Sequence, residues 1–285
     1  MTLTHEVPGA TLAYDVRGPL PPAGGQPPLL MIASPMDASG FGTLASHFAD
    51  RTVVTYDPRG LGRSSRHDGR TDHDPEQQAA DLHGLIGALG GRVDLFASSG
   101  GAVSALALVA AHPDDVRILV AHEPPLLGLL PDADRAFAAE RAVQAAYAER
   151  GWGAGMAGFI ALSSWSGELP ADFAADADPA RFGLPTEDDG SRDDPLLSGR
   201  SNAITAYQPD FPALAAAPTR IVVAAGTESA GTVTGRAAAA AAAELGEPLA
   251  VFPSHHGGFL GGEFGQRGEP EAFAARLREI LAAGR

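Results

Sequence analysis

Short apolar runs rich in β-branched residues recur along the chain, at residues 29–33, 52–56, 93–97, 117–121, 221–225 and 249–252. None alternates cleanly between apolar and polar positions. A strand that is apolar throughout is one covered on both faces, the condition of strands inside a parallel sheet. Helical patterns lie between these runs. One spans residues 75–89 and begins behind Asp74, a side-chain cap followed by Pro75 at the first helical position. Others span residues 102–111, ending before His112-Pro113, residues 234–245, ending at Gly246, and residues 270–282, ending near Gly284. Strands alternating with helices predict right-handed crossovers and an α/β fold with a doubly wound, mostly parallel sheet.

Two segments break the rhythm. Residues 18–28 form a Pro/Gly loop between an early hairpin and the strand at residue 29. Residues 124–212 hold a helical pattern at 133–149, an apolar stretch at 152–165 and a polar loop at 172–200. They read as a helical cap inserted over the sheet. The expected organisation is a core of residues 1–123 and 213–285 with a cap of residues 124–212. No internal repeat is present.

Composition narrows the chemistry. Among 285 residues there is no cysteine and no lysine, so all 20 basic residues are arginine. Disulfides, thiolate metal sites, cysteine nucleophiles, Schiff bases and P-loop lysines are excluded. A side-chain nucleophile must then be Ser, Thr, Asp, Glu, His or Tyr. The net charge of −15 disfavours a nucleic-acid partner, which needs a basic face. No basic and apolar leader is visible at the N-terminus and no run of 18 apolar residues occurs, so the expectation is a cytoplasmic protein that meets no membrane. A chain of this length buries roughly 75% of its unfolded surface, enough for a large core without staples.

The strongest local signal is Phe96-Ala-Ser-Ser-Gly-Gly-Ala102, where a strand runs straight into a helix through small residues. It matches the nucleophile-elbow pattern G-x-S-x-G with Ala97 in place of the first glycine. The residues two places either side of the nucleophile must be small so that the helix can pack on the strand. That selects Ser99, flanked by Ala97 and Gly101, over Ser98, flanked by Phe96 and Gly100. The hydroxyl of Ser99 would stand at the positive end of the following helix.

Two further segments complete a pattern: Asp57-Pro-Arg-Gly-Leu-Gly-Arg-Ser64 after one strand, and Pro253-Ser-His-His-Gly-Gly-Phe259 after the last. With the elbow between them, the chain resembles proteins of the α/β-hydrolase fold over nearly its whole length, of the kind common in actinobacteria. The resemblance implies Ser99 as nucleophile and His256 as base, with His255 in the variable position beside it. It normally places an aspartate three residues after the glycine that ends a late strand; here Gly226 is followed by Ser229 at that place, with Glu228 one residue off. A second location, used in dehalogenases of similar layout, corresponds to Glu123 in Ala121-His-Glu-Pro-Pro125. Glu123 is therefore the expected acid and Glu228 the alternative. The oxyanion hole is expected from the N–H groups of Gly100 and Met36, because Ser34 replaces the usual glycine of that loop and Pro35 has no N–H.

The resulting expectation is a serine hydrolase acting on a small or medium carboxylic ester, lactone or thioester through a Ser99-His256-Glu123 triad. No metal and no cofactor are expected, and the partner is a small-molecule substrate. The same triad can run perhydrolysis or C–C bond cleavage, and the altered oxyanion loop also suits a member of the fold that only binds. The segment from Arg66 to Asp74 reads as a solvated loop rather than a metal site. Phe137, Tyr147, Trp152, Met156, Phe159 and Trp165 line either a pocket or the cap's own core.

Overall fold

The computed structural model of the chain describes residues 1–22 and 25–283. The expected helix stop at Gly284, and residues 23–24 of the 18–28 loop, lie outside that range. Strands β1 (Thr2–Val7) and β2 (Ala10–Arg17) form an antiparallel hairpin, turning at Gly9 with φ 78°. They edge a sheet built from β3 (Leu29–Ser34), β4 (Val53–Tyr56), β6 (Val93–Ser99), β7 (Val116–His122), β8 (Arg220–Gly226) and β9 (Ala250–Phe252). The order is β1-β2-β4-β3-β6-β7-β8-β9, and every pairing from β4 to β9 is parallel. A two-residue strand, β5 (Ser65–Arg66), pairs beside β2.

Helices cover both faces, which is why the strands read as continuous apolar runs. Alternate strand residues feed two cores. Leu30, Ile32, Leu95, Ala97, Leu119 and Ala121 meet helices α2 (Pro75–Ala88), α3 (Gly100–Ala111) and α8 (Val233–Glu244). Met31, Phe96, Val120 and Phe252 meet α1 (Gly42–Ser46) and α9 (Pro270–Ala282). The predicted elements recur with small shifts at their ends. Asp74 caps α2 by accepting from the N–H groups of Glu76 and Gln77. Helix α3 starts at Gly100 rather than at residue 102, because the strand passes into it without a loop.

Between β7 and β8 the chain forms α4 (Ala133–Arg150), α5 (Trp152–Ser163), α6 (Asn202–Thr205) and α7 (Phe211–Ala216), with the polar stretch 172–200 almost free of regular structure. Tyr147 packs with Val143, Leu197, Trp152, Met156 and Phe159, so these residues serve the insertion's own core, and Tyr147 and Leu197 also line a cavity beside Gln144 and Arg192. Phe137 packs with Leu127, Leu130 and Leu169, and Trp165 lies edge-on to Phe173 near the surface. Leu214 of α7 and Ile204 of α6 belong instead to the main core.

The chain leaves β3 toward β4 on one side and returns to β6 on the other. In doubly wound sheets the crevice at such a reversal, above the carboxyl ends of the strands, is where ligands bind. Ser34 and Ser99, the last residues of β3 and β6, lie opposite each other there.

Candidate active site

Ser99 ends β6 with φ 56° and ψ −130°, a backbone state that costs an L-residue energy and persists only where packing enforces it. The enforcement is visible in its neighbours. A Cβ on Gly101 would come within 2.6 Å of Ala33 Cα, and one on Gly100 within 2.7 Å of the Ser34 carbonyl oxygen. Only glycines let α3 start this close to β3. Ala97, two residues earlier and fully buried, satisfies the same demand on the other side. Gly100 is the first residue of α3, so its N–H has no acceptor within the helix.

Glu123 follows β7 and also has positive φ, 49°. Its own N–H continues the ladder to Ala224 O while the chain turns away. The side chain is fully buried. Gly226 N–H donates to Oε1 at 2.9 Å; the Thr234 hydroxyl donates to Oε2 at 2.6 Å; His256 Nδ1 lies 2.7 Å from Oε2. Burial pushes the carboxyl up, but the hydrogen bond and charge of His256, with the Thr234 hydroxyl, outweigh it and hold Glu123 well below the usual carboxylate range. The group is ionised, so it only accepts, and Nδ1 of His256 must carry the proton that joins them. Nε2 of His256 is then the free basic nitrogen.

The loop after β9 brings His256 to this point through Ser254, another residue of positive φ, 69°. Ser99, Glu123 and Ser254 are three of the four non-glycine residues with positive φ among the described residues, so backbone strain gathers at this site. His255 turns away: its Nδ1 accepts from Gly257 N–H and its Nε2 faces the Arg267 carbonyl. Glu228 is exposed and makes no side-chain bond to either histidine, while Ser229 is buried beneath it. Glu123 and His256 are thus brought into contact, and Ser99 Oγ makes no hydrogen bond to His256 among the described residues. Catalytic hydrogen bonds commonly tighten only when substrate is bound.

The loop after β3, expected to supply an oxyanion donor, is held by a buried carboxylate. Asp57 is buried and accepts from Ala38 N–H at 2.9 Å, from Arg63 N–H at 2.8 Å and from Arg63 Nε at 2.7 Å. This carboxylate fixes the loop that carries Met36. From above, Ile204 of α6 lies over the elbow; a Cβ on Gly100 would approach its Cδ1 to 3.0 Å.

Sequence reasoning missed three partners of this site. Thr234 and Gly226 hold Glu123, and His122 packs beneath it with Nδ1 3.2 Å from Ser98 Oγ. His122, Glu123 and His256 place one ligand atom each within 4.8 Å of one another, as do His83, His112 and Asp115 at the surface. The His83 and His112 rings stack at 9° with centroids 3.7 Å apart, so their in-plane lone pairs run side by side, and in the other group the Glu123 oxygens are already engaged by Gly226, Thr234 and His256. The 66–74 segment is ion-paired rather than merely solvated: Arg66 meets Asp68, Arg70 meets Asp72 and Asp74, and His73 is buried.

The model of the alpha/beta hydrolase family matches residues 24–276. The uncharacterized hydrolase YraK of Bacillus subtilis (strain 168) is 39% identical over 129 residues, 45% of this chain and 46% of that protein, so the matched stretch spans about half the length of the curated relative. Two solved structures share the fold across the chain. An enol-lactonase from Burkholderia xenovorans LB400 has a TM-score of 0.63 at 20% identity, covering 98% of this chain and 100% of its own. A thermophilic esterase from Thermogutta terrifontis has a TM-score of 0.63 at 21% identity, covering 100% and 99%.

Proposed function

Because the chain belongs to the alpha/beta hydrolase family, and with that membership is a hydrolase, we propose that it cleaves a small or medium carboxylic ester, lactone or thioester through an acyl-enzyme on Ser99. The observation that carries this reading is the 2.7 Å bond between Glu123 and His256, made across 133 residues of sequence, at the end of the sheet that also bears the strained Ser99. A buried carboxylate holding one imidazole nitrogen, beside a serine on an elbow, is the arrangement of a nucleophile activated by an oriented base. The enol-lactonase and esterase of similar fold agree with acyl chemistry.

In the proposed mechanism Ser99 Oγ attacks the substrate carbonyl carbon and His256 Nε2 takes its proton. Glu123 keeps the other nitrogen protonated and stabilises the imidazolium. The N–H groups of Gly100 and Met36 receive the oxyanion. Collapse breaks the bond to the alcohol or thiol, which leaves with the proton from His256. Water, deprotonated by His256, then attacks the acyl carbonyl, and Ser99 regains its proton as the acid departs.

In this reading residues 124–212 act as a cap over a core of residues 1–123 and 213–285, with Ile204 reaching the elbow. The reading places the enzyme in the cytoplasm, working on a small molecule without a nucleic-acid or membrane partner. The net charge of −15 fits that assignment, and no helix among the described residues is long and apolar enough to cross a membrane.

The test is labelling by a fluorophosphonate together with an ester panel of graded acyl length, each against Ser99→Ala. Stoichiometric labelling and turnover of the wild type, absent in the variant, are expected. A wild type that resists labelling as fully as Ser99→Ala, yet binds small molecules, would make this a binding member of the fold.

A further inference from the structure

We infer that His122 is a positioning residue of the candidate triad: its imidazole, with the proton on Nε2, faces Glu123 and moderates the charge that Glu123 presents to His256. The inference rests on the triad reading above.

It starts from strand register. β6 and β7 are parallel neighbours with Ser98 opposite His122, so the dipeptides Ser98-Ser99 and His122-Glu123 end the two strands side by side. In each, the second residue turns into the site with positive φ and the first stays within the sheet. His122 is fully buried among Phe96, Phe252, Phe259 and Phe273, with ring centroids 5.3 to 6.4 Å away. Such a box suits an apolar ring. A histidine there leaves Nε2 buried without a hydrogen-bond partner, a cost of about 1–3 kcal/mol. That nitrogen lies 3.7 Å from Glu123 Oε1, and the ring stacks on that of His256 with centroids 6.0 Å apart.

The tautomer follows from these contacts. Burial pushes His122 down to about 4, so it is neutral near pH 7 and carries one proton. If that proton sat on Nδ1, the lone pair of Nε2 would face a carboxylate oxygen. If the Ser98 hydroxyl donates to Nδ1, the proton sits on Nε2 and its positive end faces Glu123. At 3.7 Å this is a charge–dipole contact, too long for a hydrogen bond. Among the described residues the titratable groups acting on His122 are Glu123 and His256, and its ring otherwise meets four phenylalanines and the Ser98 hydroxyl. The dipole offsets part of the Glu123 charge. Removing it exposes His256 to the whole of that charge, and the base then holds its proton to higher pH.

The test has two arms on the full chain. In the first, long-range 1H–15N spectra of histidine-labelled wild type are expected to show His122 as the neutral Nε2–H tautomer at pH 7. In the second, the rate of Ser99 labelling by a fluorophosphonate is followed against pH for the wild type, His122→Phe and His122→Gln. The acid limb is expected to move up by about half a pH unit or more in His122→Phe, the size of one lost weak polar contact. His122→Gln, which keeps an N–H in the same place, should return it toward the wild type. A merely structural role changes rates without moving the limb. An Nδ1–H tautomer, or a limb unmoved in folded His122→Phe, overturns the inference. If the wild type does not label, it is the triad reading that fails, and the spectra still decide the tautomer of His122. They do so too if His122→Phe does not fold.

Discussion

Lowering the pH from 7 to 5 should destabilise the wild type much more than His122→Phe. An unfolded histidine titrates at its ordinary value of 6.5, whereas burial pushes folded His122 down to about 4. Between those values the unfolded chain binds a proton that the folded chain refuses, so stability rises with pH across that window and falls as the solution is acidified. The loss begins below 6.5 and is complete near 4, where the folded state protonates as well. Its full size is about 3 kcal/mol, from 1.36 kcal/mol per pH unit between the two values. From pH 7 to pH 5 the same linkage gives about 2 kcal/mol. Urea unfolding at both pH values, with slopes checked for equality, measures it. His122→Phe loses the bond to Ser98, at about 1 kcal/mol, but that cost is the same at both pH values. The comparison therefore reads the difference of differences. Groups remote from His122, including the buried His73, contribute equally to both proteins and cancel. Equal pH dependence in the wild type and the variant would refute the claim that His122 is held neutral in the core.

Three further outcomes are expected. Glu123→Gln should lower kcat by about 100- to 10,000-fold on any ester the wild type turns over, whereas Glu228→Gln, whose side chain is exposed and unbonded, should stay within about twofold; steady-state kinetics decides between them. Gly101→Ala should cost about 1–3 kcal/mol in urea unfolding and also slow Ser99 labelling, since its Cβ would meet Ala33 Cα at 2.6 Å and push α3, with the elbow at its start, away from β3. Arg59→Met should cost about 3–5 kcal/mol, because Asp81 is buried and its paired guanidinium would be gone, while Arg59→Met with Asp81→Leu should recover most of that in the same assay.

The strands were legible because burial on both sheet faces leaves no polar alternation to mislead, as in the wholly buried β3 and β4. The start of α3 was less so. Periodicity assigns residue 102 to the helix, but it carries no sign that Ser99 takes φ 56° and lets the helix begin immediately. Composition located the elbow, since Gly100 and Gly101 must be small for a reason that the 2.6 Å approach to Ala33 makes explicit. The partners of Glu123 were not legible. Thr234 and Gly226 look like ordinary helix-start and strand-end residues until the register of β7 on β8 sets them beside the carboxylate. His122 likewise gains its place from the pairing with Ser98, which a single sequence does not reveal. The charged loop from residue 66 looked solvated because nothing in its order announces that β5 pins it to β2.

In the proposed triad the placement of Glu123 explains how the more usual position of the acid, after β8, could be given up. An aspartate after β8 would stand one strand from the loop that carries His256. Glu123 starts from β7, roughly 5 Å further away across the sheet. Two features close that gap. A glutamate is one methylene longer, and its positive φ folds the side chain back over the end of β8. There the Gly226 N–H, freed at the strand end, donates to Oε1, and Thr234 in the first turn of α8 donates to Oε2. The carboxylate thus rests on β8 and beside a helix N-terminus that favours negative charge, the same surroundings an aspartate on β8 would find. Ser229, in the vacated position, is buried with its carbonyl 1.8 Å from where a Cβ on Gly235 would lie, so the backbone there packs against α8 instead of presenting a side chain to His256. In the proposed triad the base keeps its orientation, the carboxylate keeps its donors, and only the strand that supplies it differs.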